Sequence, residues 1–305
     1  MSYTAQITRS TPTAFIFLVD QSISTRHPCF FNEEMPMSEA IAQIVNKQLF
    51  ELVKRCVKLD DVRHYFDIAV IGYGHEVHSA WKGNLEGRWF VSPKELNDNP
   101  YKKIICKELV KLRRGTELRD VERVQWVEGN HEGKWTHLYA ALDMAKELLI
   151  DWIAAHGKDN CYPPTVINIT DGIFNHGIGQ GQVLSWSQTL AELTERANFI
   201  KNLCTKDGNV LFFNIHVTSG KESENGGKII CPVSKDCLFD TNNAFSNALF
   251  DISSTLPSVY SARISELNGD HMPDALHKAF AINADMATLV QLMDIGTPTN
   301  ISINL

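Results

Sequence analysis

The chain has 305 residues, 44% of them hydrophobic, and its 36 acidic against 29 basic side chains give a formal net charge of −7. A chain of this size can bury a large core, and we expect one domain over residues 1–305. The acidic balance argues against nucleic acid as a partner, because nucleic-acid binding needs an extensive basic surface.

The sequence carries no targeting signal that we can identify. The N-terminal MSYTAQITRSTPT is polar, unlike a secretory signal, and no apolar run approaches the ~20 residues that span a bilayer. The seven cysteines are odd in number and include no C-x-x-C pair, which is typical of reduced thiols. We therefore expect a cytoplasmic protein with no membrane partner.

The first elements along the chain alternate between buried strands and amphipathic helices. An apolar run over 13–19 predicts a buried strand, and 37–59 keeps helical spacing, with Ser38 as the predicted N-cap. A second buried strand is predicted over 66–73. The run 76–81 follows too closely for a crossover helix, so we expect a hairpin whose second strand lies at a sheet edge.

Residues 83–134 interrupt this alternation, and we predict an insertion with one helix and room for one strand. Its basic run, 102–114, holds six Lys or Arg against one Glu, and such a run is usually a solvated helix face. Four of the six tryptophans fall between 81 and 135. Because aromatic and Arg residues are enriched in binding hot spots, the insertion is also a candidate surface for a specific partner.

The remaining elements return to the same alternation. A long helix is predicted over 136–152, a third buried strand over 165–170, a helix over 185–204 and a strand over 210–217. The stretch around 249–256 is predicted to be helical, and so is 285–293. We accordingly place the core at about 13–256 and a C-terminal helical extension at about 257–305.

This order of elements predicts the fold class. Strands that are apolar on both faces and alternate with amphipathic helices favour a mostly parallel sheet covered on both sides. The expected fold is a doubly wound, Rossmann-like α/β fold. In such folds ligands bind beyond the carboxyl ends of the strands, where the strand order reverses.

Oxygen-bearing side chains collect at that end of the predicted sheet. Asp20, Ser22 and Ser24 follow the first strand, and if the chain stays extended their side chains face one spot. Thr136 opens the long helix, and Asp171 ends the strand 165–170. Two carboxylates and three hydroxyls suit Mg²⁺ best, with Mn²⁺ or Ca²⁺ as alternatives, and disfavour zinc. Such a site can capture an acidic residue of a protein partner.

These residues resemble the von Willebrand factor A (VWA) domain family. The string DQSIS matches the family's D-x-S-x-S, Thr136 in GKWTHLYAAL matches its threonine loop, and Asp171 in INITDG matches its second aspartate. The resemblance spans roughly 13–256 and implies a metal-ion-dependent adhesion site in a parallel sheet with one antiparallel edge strand. In the family, the hydroxyls contact the metal and the aspartates bind largely through water. Trp135 departs from the small glycine that is frequent there.

The closest likeness is to cytoplasmic, stand-alone bacterial members. The stretch LFDISSTLPSVYSA resembles the VWA proteins of tellurite-resistance-type gene clusters. The resemblance implies a metal-dependent protein-binding module and no enzyme, with a partner Glu or Asp at the metal. One expected role is a scaffold in a stress or defence signalling cluster, with a kinase or phosphatase encoded nearby. The alternative is an adaptor that delivers substrates to an AAA+ ATPase.

Three enzyme classes fit the sequence less well. A haloacid-dehalogenase-like, metal-dependent phosphatase needs D-x-D, and Ser22 stands where that motif has its general acid. There is no GxxxxGK[ST], and the glycines at 177, 179 and 181 form G-x-G-x-G, which favours a surface loop over a nucleotide site. His75 and His78 have the wrong spacing for a metalloprotease and are predicted to be surface histidines of the edge strand.

Overall fold

A computed structural model describes most of the chain between residues 3 and 283. Two predicted features, the glycine-rich loop with the glycines at 177, 179 and 181 and the helix over 285–293, lie outside the described residues. The described residues are 3, 5–29, 32–59, 61–112, 115–174, 184–218, 228–238, 240–269, 272 and 274–283.

A central sheet organises the part of the chain that the structure describes. Its strands are β1 (Thr13–Asp20), β6 (Phe66–Tyr73), β7 (Val77–Ser79), β8 (Phe90–Val91), β11 (Thr165–Thr170), β12 (Leu211–His216), β13 (Ile229–Ile230) and β14 (Phe280–Ile282). They lie in the order β13-β14-β12-β11-β1-β6-β7, and β8 also pairs with β6. β1 is parallel to both β6 and β11, so the strand order reverses beside β1.

Helices cover both faces of this sheet. Phe15 and Phe17 of β1 belong to one apolar cluster, and Ile16 and Leu18 belong to the other, as expected when successive side chains point to opposite faces. No described helix is long and apolar enough to cross a membrane. The helices are α1 (Met37–Cys56), α2 (Pro93–Asp98), α3 (Leu138–His156), α4 (Trp186–Asn202), α5 (Ala244–Ile252) and α6 (Ser261–Asn268).

The predicted fold class is therefore confirmed: the protein is α/β with a mostly parallel sheet between helices. The antiparallel edge strand is also present, because β7 runs antiparallel to β6. Two further antiparallel pairs were not predicted. β8 pairs with β6, and at the opposite edge β13 pairs with β14.

The basic run 102–114 was predicted as a helix face, and this prediction was wrong. The structure places it in a long antiparallel hairpin of β9 (Lys102–Leu112) and β10 (Gly115–Gln125). Cross-strand pairing, for example of Lys103 with Val124, decides its conformation. Such tertiary contacts override the helical propensity of Lys and Leu, because propensity is only a weak determinant of structure. Shorter hairpins join β2 (Pro28–Cys29) to β3 (Asn32–Pro36) and β4 (Val57–Lys58) to β5 (Asp61–Val62).

Other local predictions also need correction. The region after 256 is not only helical, because β14 enters the central sheet in parallel with β12. α5 ends at Ile252 and does not reach 256. Ser38 lies inside α1, whose N-cap position is Pro36, and the Ser38 Oγ is 3.1 Å from Nδ1 of His131.

Candidate metal site

Backbone hydrogen bonds hold two of the loops at the carboxyl edge of the sheet together. The Ile23 N–H donates to the Gly133 carbonyl at 2.6 Å, and the Gly133 N–H donates to the Gln21 carbonyl at 3.3 Å. This pairing brings the segment before Thr136 alongside the loop that follows β1. Two of the three loops that carry the predicted ligands therefore lie side by side.

Gly133 is required by this close approach. A Cβ built on Gly133 would lie 2.8 Å from the Gly74 Cα and 2.8 Å from the His75 nitrogen, and both are backbone atoms that cannot move independently. The sequence offered no clear signal for this role, because the contact joins residues that are far apart in the chain. Gly133 therefore belongs to the framework of the site.

Asp20 is the most buried group of the site, with no exposed surface. Its Oδ1 accepts the Ser22 N–H at 2.9 Å, and its Oδ2 accepts the Thr170 hydroxyl at 2.6 Å. Burial raises the pKa of Asp20, and the negative charge of Asp171 raises it further, although the hydrogen bonds oppose both effects. The described groups that shift the pKa of Asp20 include no basic side chain.

The two serines meet by a route that differs from the prediction. The chain does not stay extended to residue 24, because Ile23–Arg26 forms a 3₁₀ helix. The turn nevertheless brings the Ser22 and Ser24 hydroxyls within 2.9 Å of each other. The Thr25 hydroxyl closes the turn by donating to the Ser22 carbonyl at 2.7 Å.

Thr136 and Asp171, the other two predicted ligands, lie in two further loops. Both side chains are buried, with 4% and 6% of their surface exposed. The Asp171 Oδ1 accepts the N–H of Ile173 at 3.0 Å, which turns the chain after β11. Trp135, beside Thr136, is 54% exposed and so lies at the surface next to the site.

Polar residues that the sequence did not indicate support Asp171. His216, at the end of β12, is 2% exposed, and its Nε2 is 2.9 Å from the Asp171 carbonyl. Burial lowers the pKa of His216 to about 4, although that hydrogen bond opposes the shift, so the ring is neutral at pH 7. Because a carbonyl only accepts, Nε2 carries the hydrogen, and Nδ1 accepts the Ser246 hydroxyl at 2.8 Å.

The donor set fits a hard divalent cation. Two buried carboxylates lie close enough to raise the pKa of one of them, beside hydroxyls that can act as neutral ligands. Burying like charges together is costly, and a cation would offset that cost. Among the described residues, no group of three His, Cys, Asp or Glu side chains is arranged to hold a metal, so the proposed set relies on hydroxyls beside its two carboxylates.

A cavity of about 210 Å³ lies beside Gln21 of the loop after β1, between the β6–β7 turn and residues 130–133. His75 and His78 line it, and both are exposed, as predicted, although only His78 lies on the edge strand β7 and His75 lies in the turn before it. The His75 ring lies 6.4 Å from the ring of His137, which precedes α3. The cavity therefore opens on the side of the β6–β7 turn.

No family model matches the chain. No curated protein matches it either. Among solved structures it is similar to the vWF domain of the type V pili tip protein Mfa5 from Porphyromonas gingivalis, at 10% identity and a TM-score of 0.43, over 94% of this chain and 96% of that one. It is also similar to the manganese-loaded TRAP protein of Plasmodium vivax, at 13% identity and a TM-score of 0.42, over 95% and 74% of the two chains.

A third similar structure is proximal thread matrix protein 1 from the mussel byssus, at 14% identity and a TM-score of 0.41. The match covers 94% of this chain, which spans about half, 48%, of the mussel chain. Identities and scores this low carry no functional argument. The site is therefore judged on its own geometry.

Proposed function

We propose that this protein is a metal-dependent protein-binding module without enzymatic activity. Asp20, Ser22, Ser24, Thr136 and Asp171 hold a divalent cation, with Mg²⁺ favoured and Mn²⁺ or Ca²⁺ as alternatives. When bound, the cation supplies an open coordination position for a Glu or Asp carboxylate of a protein partner.

The buried pair of Asp20 and Asp171 carries this proposal. The two carboxylates stand at the carboxyl ends of β1 and β11, neighbouring parallel strands at the point where the strand order reverses. A buried acidic pair is unfavourable in a purely structural role, since each charge raises the cost of the other. A function that needs a cation explains why the pair is present.

The surroundings of the site favour a protein as the ligand. Each of three site loops exposes one large apolar side chain within two residues of a proposed ligand: Ile23 at 44%, Trp135 at 54% and Ile173 at 47%. Exposed apolar and aromatic residues around a polar centre are typical of protein interfaces. Trp135, where the VWA resemblance leads us to expect a small residue, thus has a role in the rim.

The β9–β10 hairpin remains a predicted partner-specific surface. Its base is anchored to α1 by Asn46, whose Oδ1 accepts the Trp126 N–H at 2.8 Å and the Val127 N–H at 3.1 Å. Farther along the hairpin, Ile105 and Leu118 are 75% and 58% exposed. A partner that contacts the metal site can reach this base, because the segment leading to Thr136 begins there.

The finer role stays a proposal. A scaffold in a bacterial stress or defence signalling cluster and an adaptor for an AAA+ ATPase both require the same metal-dependent capture. They differ in the captured protein, a kinase or phosphatase in the first case and an ATPase or its substrate in the second. Identifying that protein separates them.

The test compares Asp20→Asn with Asp67→Asn, the same substitution at the amino end of the sheet. Calorimetry with Mn²⁺ should show one site in the wild type and in Asp67→Asn and no measurable binding in Asp20→Asn. Capture of a partner from extracts should need Mg²⁺, stop with EDTA and fail for Asp20→Asn. Full metal affinity in Asp20→Asn would overturn the site, and EDTA-resistant capture would overturn the mechanism of binding.

A further inference from the structure

We infer that His216 and Ser246 are positioning residues that clamp the peptide between Asp171 and Gly172 and thereby orient both buried aspartates toward one cation. This inference rests on the proposed metal site. It assigns a role to two polar side chains that neither the D-x-S-x-S string nor the threonine loop includes. Ser246 lies in the first turn of α5, so the clamp also reaches a helix outside the predicted site.

The clamp holds one peptide group from both ends. The His216 Nε2–H donates to the carbonyl of Asp171 at 2.9 Å, and the Gly172 N–H of the same peptide donates to the Thr170 hydroxyl at 3.0 Å. With both its donor and its acceptor engaged, the peptide cannot rotate without losing a buried hydrogen bond. The direction in which the Asp171 side chain leaves the backbone is thereby set.

Gly172 allows the ring to approach this closely. Its φ of +85° lies in the left-handed region that favours glycine, and a Cβ there would lie 2.5 Å from the His216 Nε2. The imidazole thus lies directly against the turn after β11. The glycine is required by the His216 contact as well as by the turn itself.

The hydrogen bonds run in one direction toward Asp20. The Ser246 hydroxyl donates to the His216 Nδ1 at 2.8 Å, and the Thr170 hydroxyl donates to the Asp20 Oδ2 at 2.6 Å. Between them lie the two bonds of the clamped peptide, so four consecutive donors point the same way. Hydrogen bonds arranged in such a chain strengthen one another. The last donor meets a carboxylate, where charge makes the bond strongest.

This chain links the two proposed metal aspartates, although they lie on different strands. Asp171 is held through its own carbonyl, and Asp20 is held through Thr170, which also accepts the Gly172 N–H. A change at His216 should therefore disturb both carboxylates together. Supporting groups of this kind typically change metal affinity about 10- to 100-fold when removed.

The experiment uses a matched pair of substitutions in the full chain. His216→Leu keeps the approximate volume but has no donor, whereas the His216→Gln amide can replace the Nε2–H. By calorimetry, His216→Leu should weaken Mn²⁺ binding about 10- to 100-fold, and His216→Gln should retain most of it. Ser246→Ala should weaken binding less, about fivefold, because it removes one bond at the far end of the chain.

Phe212→Leu, a buried change on the same strand, controls for general loss of stability. A second measurement needs no metal: amide exchange of Gly172, followed by NMR, should become faster in His216→Leu and stay unchanged in Phe212→Leu. Equal Mn²⁺ affinity in His216→Leu and wild type would overturn the clamp, as would an equal loss in Phe212→Leu. If the wild type itself binds no Mn²⁺, the proposed function fails, and unchanged Gly172 exchange in His216→Leu would then overturn the clamp independently.

Discussion

The fully buried Asp20 and the partly buried Asp67 lie at opposite ends of neighbouring strands, and their surroundings differ. Asp67, near the start of β6, is 13% exposed and accepts from the Trp152 indole at 2.9 Å, with the His64 Nε2 at 2.7 Å. Burial raises the pKa of Asp67, but the hydrogen bonds from His64 and Trp152 outweigh it and leave the pKa below its usual value. At Asp20, burial and Asp171 prevail, and the pKa is raised.

Under the proposed function, this difference separates a structural carboxylate, Asp67, from a metal-binding one, Asp20. The protein itself completes the surroundings of Asp67 with an indole donor and an imidazole. Around Asp20 it supplies a second carboxylate, a backbone N–H and hydroxyls. A bound cation would offset the negative charge of the two carboxylates. Functional sites commonly hold such unfavourable arrangements, and their stability improves when the ligand binds.

The largest expected effect is stabilisation by metal. With free Mn²⁺ at 100 times its dissociation constant, the wild type should gain ~2.7 kcal/mol in free energy of unfolding, because only the folded state holds the site. Asp67→Asn should gain the same amount, and Asp20→Asn should gain nothing. Thermal unfolding in Mn²⁺ and in EDTA measures this. An equal gain in all three proteins would show that the ion binds elsewhere.

Without metal, the two substitutions should change stability in opposite directions. At about pH 8, Asp20→Asn should raise the free energy of unfolding by ~1–3 kcal/mol, because it removes a buried charge next to Asp171. Asp67→Asn should lower it by ~1 kcal/mol, because the hydrogen bonds to a charged acceptor are weakened. Denaturant titration in EDTA gives both values. If both variants lose stability equally, the protein offsets the negative charge of Asp20 as well as it offsets that of Asp67.

The smallest effect concerns His64, whose hydrogen bond with Asp67 raises its pKa despite partial burial. A raised histidine pKa adds stability below the unfolded pKa, and this stability is lost as the pH rises through the folded pKa. His64 is 55% exposed, so screening by water limits the effect. His64→Gln should therefore cost ~0.5 kcal/mol at about pH 5.5 and nothing at about pH 9. A loss independent of pH would show that the charge of His64 contributes nothing.

The sequence predicted the central elements well because their signals are local. Runs of apolar residues with period-2 or helical spacing located β1, β6, β11 and the long helices to within a few residues. The basic run 102–114 was misassigned, since its charges and leucines suit a solvated helix as well as a hairpin strand. β14 was missed because three apolar residues are too short to predict a strand without the neighbour that they pair with.

At the candidate site, the chain order of Asp20, Ser22, Ser24, Thr136 and Asp171 was sufficient to group them as proposed ligands. Nothing local indicated the supporting residues. His216 is 45 residues from Asp171, and Ser246 is a further 30 residues away, so their contacts exist only once β12 and α5 pack beside β11. The same holds for Gly133, whose neighbours Gly74 and His75 belong to another loop.

The sequence by itself determined the central strands, the long helices and the hard-oxygen character of the proposed ligands, because propensity, hydrophobic period and ligand type are properties of short segments. Only the tertiary structure decided the order and relative direction of the strands. It also showed that a 3₁₀ turn brings the Ser22 and Ser24 hydroxyls together and that the buried His216 imidazole holds the Asp171 peptide. The strand order and the imidazole contact depend on packing across the sheet, whereas the 3₁₀ turn is a local feature that the spacing of the serines did not reveal. The energies of the packing contacts come from burial, which the chain acquires only when it folds.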